Sequence, residues 1–300
     1  MPFKSRVESD KLKILSYLNT RIELPENDKL HYLSLKKGFE GEVMFDLLTE
    51  KLQSDCLILN DLLLKVNNTT FQIDTLIIEE TLHVFEVKNY KGDYYYESGN
   101  FYSKSVIEIL NPMDQLKRCD SLLRQLLQKN GFNFPTEARV VFINPEFTLY
   151  QAPKNKPIIY PTQLNSFMKN FDSTPSKLTS RHRKLAELLV SLHLTKSSFT
   201  QVPTYDYDLL KKGITCPACH SFSVSVEARN CICLDCGHEE LVESAVLRSV
   251  EELKVLFPGM KITTNVVFEW CKLIESKTKI SRILKKHFKV RGYGQWSYYE

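Results

Sequence analysis

The sequence predicts an α/β chain with a mixed β-sheet flanked by helices, followed by a small cysteine module and a basic helical end. Three observations predict this architecture. The spacing of apolar residues alternates between helical and strand periods up to about residue 195. Two CxxC pairs then follow within a short stretch. Residues 271–300 carry a net charge of +6, so the rest of the chain totals −2.

Composition places the chain among folded proteins with more than one domain. It has 300 residues, of which 43% are hydrophobic and 25% charged, enough to bury a sizeable core. No apolar run approaches the roughly 18 residues that a membrane helix needs. The N-terminal residues lack the hydrophobic stretch of a secretory signal. We therefore expect a cytoplasmic protein without membrane contact.

Two helices are predicted before the first strand. Leu12, Leu15 and Leu18 recur at helical spacing and predict a helix from residue 7 to about 20. Pro25 interrupts this pattern, and a second helix is predicted from near Gly38 to about residue 52. Residues 1–35 are therefore predicted to form an N-terminal helical segment.

Short apolar stretches predict the sheet of a domain spanning residues 36–195. These stretches are 56–60, 62–66, 71–78 and 82–88, and a further hairpin turns at residues 98–99. Pro112 suits the first turn of a long helix that reaches about residue 129. Residues 139–143 read as a buried strand, and helices follow at 162–171 and 180–194. This order predicts two or three packed layers.

The cysteine module, residues 213–243, predicts a structural zinc site. Cys216 and Cys219 form one CxxC pair, Cys233 and Cys236 a second, and thirteen residues separate the pairs. Four thiolates at this spacing satisfy tetrahedral Zn²⁺ and leave no open position for chemistry. Cys231 is an alternative ligand, although a buried position in a hairpin suits it better. Residues 196–212, which are polar and contain Pro203, are predicted to be a linker.

A carboxylate constellation is predicted on two adjoining strands. Asp74 interrupts an apolar strand, and Glu86 and Lys88 close the next one on the same face, since strand side chains alternate. Two carboxylates held close together repel unless a divalent cation lies between them. Lys88 is then placed to orient or deprotonate a water and to offset phosphate charge. The alternative is a turn aspartate beside a surface ion pair.

Two further polar residues are predicted at helix N-termini. Glu42 follows Gly41 near the predicted start of the second helix, and Gln115 lies in the first turn of the long helix. Helix N-termini attract anions and the metals that accompany them. Both residues are therefore candidates for the same site.

Four motifs in order carry a resemblance to a known family. GFEGE, QIDTLII, FEVKNYKG and NPMDQ resemble the nuclease-related domain of bacterial proteins, NERD, which belongs to the PD-(D/E)xK, or restriction-endonuclease-like, superfamily. The resemblance covers roughly residues 36–150 and implies a metal-dependent nuclease with a restriction-endonuclease-like mixed sheet. Some members of the superfamily carry a tyrosine where this chain has Cys119.

The resemblance implies a role for each matching residue. Asp74 and Glu86 would bind Mg²⁺ or Mn²⁺, together with the carbonyl of Val87. Lys88 would be the catalytic lysine, Glu42 the helix acid and Gln115 a positioning residue. Glu40 is a weaker candidate than Glu42, because the family's acid follows the second glycine.

The basic end, residues 245–300, predicts a helix-turn-helix-like unit that binds DNA. Helices are predicted at 263–274 and 277–289, and an aromatic, glycine-containing ribbon follows at 291–299. This order resembles a winged helix, whose second helix enters the major groove. Five side chains of that helix are candidates for phosphate contacts: Lys279, Arg282, Lys285, Lys286 and Lys289. The alternative is a solvated basic helix that packs on the body of the protein.

These features predict a Mg²⁺- or Mn²⁺-dependent deoxyribonuclease that carries a structural zinc ion. Two alternatives remain. A DNA-binding or regulatory protein can retain a nuclease scaffold without cleaving, and the zinc module can dock another protein. The sequence is silent on endo- or exonuclease action, on strand preference and on oligomeric state.

Overall fold

A computed structural model of the chain describes residues 1–105, 107–195 and 202–300. The chain divides into two compact units. Unit 1 comprises Met1–Glu8 and Ser34–Thr200, and unit 2 comprises Ser9–Leu33 and Gln201–Glu300. Residues 196–201 of the predicted linker lie outside the described residues.

Eight α-helices lie in the described part of the chain. They are α1 (Asp10–Arg21), α2 (Glu26–Thr49), α3 (Pro112–Lys129), α4 (Leu164–Asp172), α5 (Ser180–Ser191), α6 (Val242–Leu256), α7 (Thr264–Cys271) and α8 (Lys277–His287).

The same residues contain fourteen strands. They are β1 (Leu57–Val66), β2 (Thr69–Ile78), β3 (Leu82–Lys88), β4 (Gly92–Glu97), β5 (Asn100–Ser103), β6 (Glu108–Ile109), β7 (Thr136–Phe142), β8 (Phe147–Tyr150), β9 (Ile158–Ile159), β10 (Val224–Glu227), β11 (Asn230–Cys233), β12 (Glu239–Leu241), β13 (Val290–Arg291) and β14 (Tyr298–Tyr299).

The central sheet of unit 1 is mixed, as the sequence predicted. Its strand order is β1-β2-β3-β7-β9. The first three strands are antiparallel to one another, whereas β3, β7 and β9 run parallel. Antiparallel neighbours need only hairpins, whereas β3 and β7 are joined by a crossover that contains α3. A smaller sheet has the strand order β6-β5-β4-β8. Its strands β4 and β5 form the hairpin that the sequence predicted to turn at residues 98–99.

Helices cover both faces of the central sheet, giving the three layers that the sequence left as one of two options. On one face, Leu123 of α3 and Leu189 of α5 pack with sheet residues such as Leu76. On the other face, Phe45 of α2 and Phe171 of α4 close a second cluster. Since both faces are apolar, only interruptions of the sheet and its ends are free to present charged groups.

Two sequence-based boundaries were wrong. The second helix begins at Glu26, twelve residues before Gly38, because Glu26 and Asp28 favour the N-terminal end of a helix. Glu42 therefore lies within α2 and not at its start. The two stretches on either side of Asp61 form one strand, β1, interrupted where Asp61 adopts a left-handed conformation with φ of 55°.

Gly41 is needed for packing within α2. A Cβ atom at this position would lie 2.5 Å from Cβ of Asn89 and 3.2 Å from a methyl carbon of Ile143. These residues directly follow β3 and β7, so glycine lets the helix approach the ends of two central strands. This approach fixes the depth of Glu42, the next residue along the helix.

Unit 2 has one continuous core. The strands of the cysteine module, β10, β11 and β12, form an antiparallel sheet. The buried residues of this sheet cluster with those of α1, α6, α7 and α8. Trp270 lies at the centre, fully buried. Arg21 and Glu252 form a buried ion pair of 2.7 Å beside it, with the guanidinium carbon 4.1 Å from the Trp270 ring centre.

The basic end folds as two helices followed by a ribbon. Helices α7 and α8 lie close to the predicted ranges, and β13 pairs antiparallel with β14. Ile262, before α7, forms a bridge to Tyr299 of the ribbon. In the part of the chain that the structure describes, we find no helix with the length and apolar character of a membrane span.

Candidate functional site

Asp74 and Glu86 lie side by side where β2 and β3 separate. The last paired residues of the two strands are Thr75 and Phe85, so Asp74 and Glu86 come next along each strand. Beyond this pair the ladder is replaced by a side-chain contact, because the amide of Val87 donates a 2.8 Å hydrogen bond to Oδ2 of Asp74. The two predicted carboxylates therefore meet at one interruption of the sheet.

Lys88 belongs to the same group. Its Nζ lies 2.7 Å from Oε1 of Glu86, and both side chains are mostly buried, with exposed fractions of 17% and 13%. Burial acts to lower the pKa of Lys88, but attraction by Glu86 and Asp74 outweighs it and the pKa is raised. Lys88 is therefore a fixed positive charge at neutral pH, which favours orienting a water over deprotonating it.

Asp74 is held where an isolated negative charge is unfavourable. Burial, followed by repulsion from Glu86 and Glu42, raises its pKa well above the ordinary value, and the Val87 hydrogen bond only partly opposes this. A carboxyl group in this state binds a proton or a cation. One of its oxygens is already engaged by Val87, which fixes the direction of the other.

Glu42 reaches the site from α2 and is paired with Arg6. Nη1 of Arg6 lies 2.5 Å from Oε2 of Glu42, and the same guanidinium donates two bonds of 2.8 and 3.0 Å to Asp46. Burial of Glu42, with repulsion from Asp61, Asp46 and Glu86, outweighs the attraction of Arg6 and raises its pKa to about 7. Glu42 can therefore exchange a proton near neutral pH.

The site carries more acids than bases. Glu42 is repelled by three other carboxyl groups, those of Asp46, Asp61 and Glu86. Asp74 is repelled by Glu86 and by Glu42 itself. The cations that act on Glu42 and Asp74 are Arg6 and Lys88. Carboxyl oxygens are the ligands that hard divalent cations prefer, whereas the four cysteines are the group of three or more metal-binding side chains found among the described residues.

Gln115 lies in the first turn of α3, as predicted. Cys119, one turn later on the same face, donates a weak bond to the carbonyl of Gln72. Burial of Cys119, with repulsion from Glu86 and Asp74, raises the pKa of its thiol. The side chain of Gln115 is half-buried and has no hydrogen-bond partner among the described residues.

Sequence reasoning missed four members of the site. Asp46 lies one helical turn after Glu42, a signal that the i, i+4 spacing offered. Tyr90 acts electrostatically on Lys88 from two residues beyond it in the chain. Asp61 carried no signal, because it acts on Glu42 from the interruption of a different strand, β1. Arg6 is 68 residues from Asp74, whose carbonyl oxygen it contacts at 2.8 Å.

We expect Arg6→Met to destabilise the protein by about 3 kcal/mol, since it leaves buried carboxylates without a partner. Folding raises the pKa of Glu42 from its ordinary value of 4.5 to about 7. Between these two pH values the folded state keeps the proton that the unfolded state loses, and above about pH 7 both states are ionised. The loss should therefore be larger at about pH 8, where Glu42 is ionised, than at about pH 6. Urea unfolding at both pH values measures it.

Lys117→Met provides the control for this prediction. Lys117 lies 3.4 Å from Asp114, and both side chains are exposed, by 69% and 64%. Exposed pairs contribute roughly 0–1 kcal/mol, so this variant should unfold nearly as the wild type does. Equal effects of the two substitutions would contradict the structural role assigned to Arg6.

The four predicted zinc ligands converge on one point. The sulfur atoms of Cys216, Cys219, Cys233 and Cys236 all lie within 4.8 Å of one another. Two of the sulfur–sulfur distances are 3.6 and 3.5 Å. A tetrahedron with Zn–S bonds of about 2.3 Å has edges of about 3.8 Å, so the cluster fits Zn²⁺. Gly237, with φ of 72°, provides the turn after the second pair.

Cys231 is not part of this cluster. It lies in β11 opposite Val226 and is buried in the core of unit 2, which supports the hairpin position over the ligand alternative. Neither His220 nor His238 belongs to the group of metal-binding side chains among the described residues. The candidate zinc site therefore consists of four cysteines.

Four of the five predicted nucleic-acid side chains lie in α8, and Lys289 follows that helix. Lys285, Lys289 and Arg282 are exposed, whereas Lys279 is half-buried. Lys286 is engaged, since its Nζ lies 2.7 Å from Oε1 of Glu243. Tyr293 and Trp296, beside the ribbon, are 93% and 78% exposed.

Comparison with known proteins identifies one family. Residues 37–143, about a third of the chain, match the model of the nuclease-related domain, NERD. The identification made from the four motifs is thereby confirmed for this region, which contains Glu42, Asp74, Glu86, Lys88 and Gln115. No curated protein and no solved structure matches the chain.

Proposed function

We propose that the nuclease-related domain of this chain is an active, metal-dependent deoxyribonuclease of the PD-(D/E)xK type. The observation that supports this most strongly is the meeting of Asp74, Glu86 and Lys88 at one interruption of the central sheet. A buried carboxyl pair beside a lysine, with the pKa of Asp74 raised by burial and by Glu86, is costly for folding. Such arrangements are concentrated at functional sites.

Asp74 and Glu86 are the residues that would hold Mg²⁺ or Mn²⁺, with the carbonyl of Val87 as a further oxygen ligand. The bound ion would supply charge stabilisation for the phosphate and a more acidic water. The protein itself limits where the ion can lie, because Oδ2 of Asp74 is fixed by the Val87 amide.

Lys88, Glu42 and Gln115 have distinct proposed roles. Lys88 remains protonated, orients the attacking water and offsets the negative charge that develops on phosphate. Glu42, with its pKa of about 7, can accept a proton from that water or donate it to the leaving oxygen. Gln115 uses its free amide to position the substrate.

Unit 2 is proposed to deliver DNA. The zinc ion stabilises the fold there, and the basic side chains of α8 neutralise phosphates without reading sequence. Exposed Tyr293 and Trp296 add surfaces on which bases can stack. All eight cysteines are free thiols, and an intact thiolate zinc site requires a reducing compartment, so we propose the cytoplasm as its location.

A DNA-binding protein that retains the scaffold without cleaving is the second candidate. One observation favours it: Lys88 and Arg6 already satisfy Glu86 and Glu42 inside the folded chain. A site neutralised by its own cations can be stable without a metal. In this case the chain would retain DNA in the presence of Mg²⁺ and leave it intact.

Incubation of the purified protein with linear, circular and single-stranded DNA, with Mg²⁺ or Mn²⁺, separates the two candidates. Cleavage of any substrate that needs the metal supports the enzyme. Retention of intact DNA by the wild-type protein supports the binder. Comparison of the circular and linear forms then distinguishes internal cleavage from attack at ends.

Metal affinity is expected to rise with pH. The pKa values of Asp74 and Glu42 are both raised, that of Glu42 to about 7, so at acidic pH a cation competes with protons for the site. Release of one proton predicts about a tenfold gain in Mn²⁺ affinity per pH unit up to about pH 7 and little further gain above it. Titration calorimetry in two buffers of different ionisation enthalpy measures both the affinity and the protons released.

Glu137→Gln is the control for this titration. Glu137 is half-exposed, and the hydrogen bond from Arg139 lowers its pKa, so it is ionised throughout the range. The variant should show the same pH dependence as the wild type. An Mn²⁺ affinity that does not change with pH would contradict the assignment of the raised-pKa carboxyls to the metal site.

A further inference from the structure

A cavity of about 290 Å³ opens in unit 2 where three elements meet. Its walls come from the turn between β10 and β11, the first residues of α6 and the first half of α8. The side chains that matter here are Arg229 of the turn, Glu243 of α6, and Lys279 and Arg282 of α8. The floor is apolar and includes Val242 and Ile283.

Two arginines give this cavity an unbalanced positive charge. Arg229 and Arg282 are both exposed, and neither side chain forms an ion pair or hydrogen bond within the described part of the chain. Lys279 is held at the cavity by a 3.2 Å bond from its Nζ to the carbonyl of Ala228. That bond is to a neutral group, so the charge of the lysine also remains unpaired.

The single acid of the cavity wall is already engaged. Oε1 of Glu243 lies 2.7 Å from Nζ of Lys286 and 2.5 Å from Nε2 of His287. These two partners come from the last turn of α8 and do not line the cavity. Glu243 therefore offsets little of the charge of the arginines and lysine.

The backbone adds to the same charge. Helix α6 has 15 residues, and its N-cap residue, Leu241, offers no side-chain acceptor to the amides of the first turn. Leu241 and Val242 line the cavity, so the positive end of the helix dipole lies beside it, although the Val242 amide is already bonded to the carbonyl of Arg229. Guanidinium groups and helix amides together are the donors that recognise phosphate oxygens.

Arg229 is positioned by the hairpin turn of the cysteine module (residues 213–243). The β10–β11 turn is fixed at two points: the carbonyl of Arg229 accepts a 2.8 Å bond from the amide of Val242, and that of Ala228 accepts the bond from Lys279. Ala228 adopts a left-handed conformation with φ of 51°. The turn is thus anchored to both helices that form the remaining walls.

We propose that this cavity binds a phosphate group of a nucleic-acid backbone. The inference extends the DNA-binding role proposed above and adds a contact from the zinc module, Arg229, to those of α8. A polyanion is favoured over a free phosphate because exposed basic residues continue along and after α8 beyond the cavity, at Lys285 and Lys289. The cavity would hold one phosphate while these lysines follow the strand.

Fluorescence anisotropy with a short labelled DNA duplex tests the proposal. The full-length, zinc-loaded protein is used without added Mg²⁺ or Mn²⁺, so that binding is measured apart from cleavage. The double substitution Arg229→Ser with Arg282→Ser should weaken binding by about tenfold or more for each arginine. It should also reduce the slope of log affinity against log salt by about two.

Matched variants keep this test falsifiable. Lys261→Ser with Lys272→Asn removes two exposed charges of unit 2 from outside the cavity and should change affinity much less. Arg229→Lys with Arg282→Lys keeps the charges and should preserve most of the salt slope. If the double serine variant of Arg229 and Arg282 and the control variant of Lys261 and Lys272 lose DNA affinity equally, the affinity depends only on net charge. That result overturns the proposal.

The remaining outcomes also decide the question. DNA affinity of the Arg229/Arg282 serine variant equal to that of the wild type overturns the proposal, even if competition with inorganic phosphate shows that the cavity takes a free phosphate. Failure of the wild type to bind DNA overturns it as well. Binding that depends on the arginines, in a protein that cleaves nothing with Mg²⁺, supports the cavity while removing the nuclease proposal.

Discussion

Replacing Lys88 by alanine is expected to abolish metal-dependent DNA cleavage, with a rate loss of about a thousandfold. The side chain supplies a buried, permanently protonated charge beside Glu86, and loss of one such stabilising group commonly costs 10²–10³ in rate. DNA binding by the basic end of the chain should persist. The measurement is the rate of cleavage with Mg²⁺ or Mn²⁺, alongside DNA affinity without metal.

Asp74→Asn should lose cleavage to a similar extent while leaving a protein that is at least as stable as the wild type without divalent metal. The asparagine side chain keeps an oxygen that can accept the Val87 amide hydrogen bond, yet it removes a carboxyl whose ionisation is opposed by burial and by Glu86. Divalent metal should raise the melting temperature of the wild type and not that of this variant.

Lys91→Ala is the matched control for both variants. Lys91 lies three residues after Lys88 but is 59% exposed and pairs with Glu146 at the surface. This substitution should retain cleavage within a few-fold. Full activity of Lys88→Ala or Asp74→Asn would refute the proposed site, whereas an Asp74→Asn protein that unfolds would assign Asp74 to the fold alone.

Loss of zinc should have the second large effect, on stability. Cys216 and Cys233 are buried within the same core as Trp270 and the helices of unit 2, so a zinc ion held by these sulfur atoms would be part of that core. Zn²⁺ binding to structural sites contributes on the order of 10 kcal/mol. Cys216→Ser, or removal of zinc by a chelator, should therefore abolish the cooperative unfolding of unit 2, followed by circular dichroism.

Metal analysis and a neighbouring cysteine complete this test. The wild type should contain about one zinc per chain, released by thiol-modifying reagents. Cys231→Ala removes a buried thiol from the adjacent strand without touching the four sulfur atoms, so it should keep its zinc and lose only about 1–2 kcal/mol. Loss of zinc in Cys231→Ala would return Cys231 to the ligand set.

Local chemistry made much of this fold predictable. The alternating pattern around Asp74, Glu86 and Lys88 predicted that the three lie close together, because strand period fixes which side chains share a face. The CxxC pairs specified the zinc cluster for a similar reason, since each turn presents two thiolates to one ion. In both cases the relevant residues are close in sequence or lie on adjoining strands.

The missed features depend on packing over long sequence separations. The glycines of α2 suggested a helix start, although Gly41 is there to let the helix approach Asn89. Glu42 was selected for its position at a helix N-terminus, yet it faces the site from within the helix. Arg6 completes the site from the opposite end of the domain's sequence, and no periodicity could have indicated that.

The interleaving of the two units along the chain has a practical consequence for anyone who dissects this protein. Unit 1 needs Met1–Glu8 as well as the stretch that begins at Ser34, and unit 2 needs Ser9–Leu33 as well as the C-terminal third. A fragment trimmed to the family match would discard Arg6 and leave Glu42 and Asp46 without their counter-ion. A fragment of either unit that lacks one of its two chain segments would be incompletely folded, so function is best measured on the full-length protein.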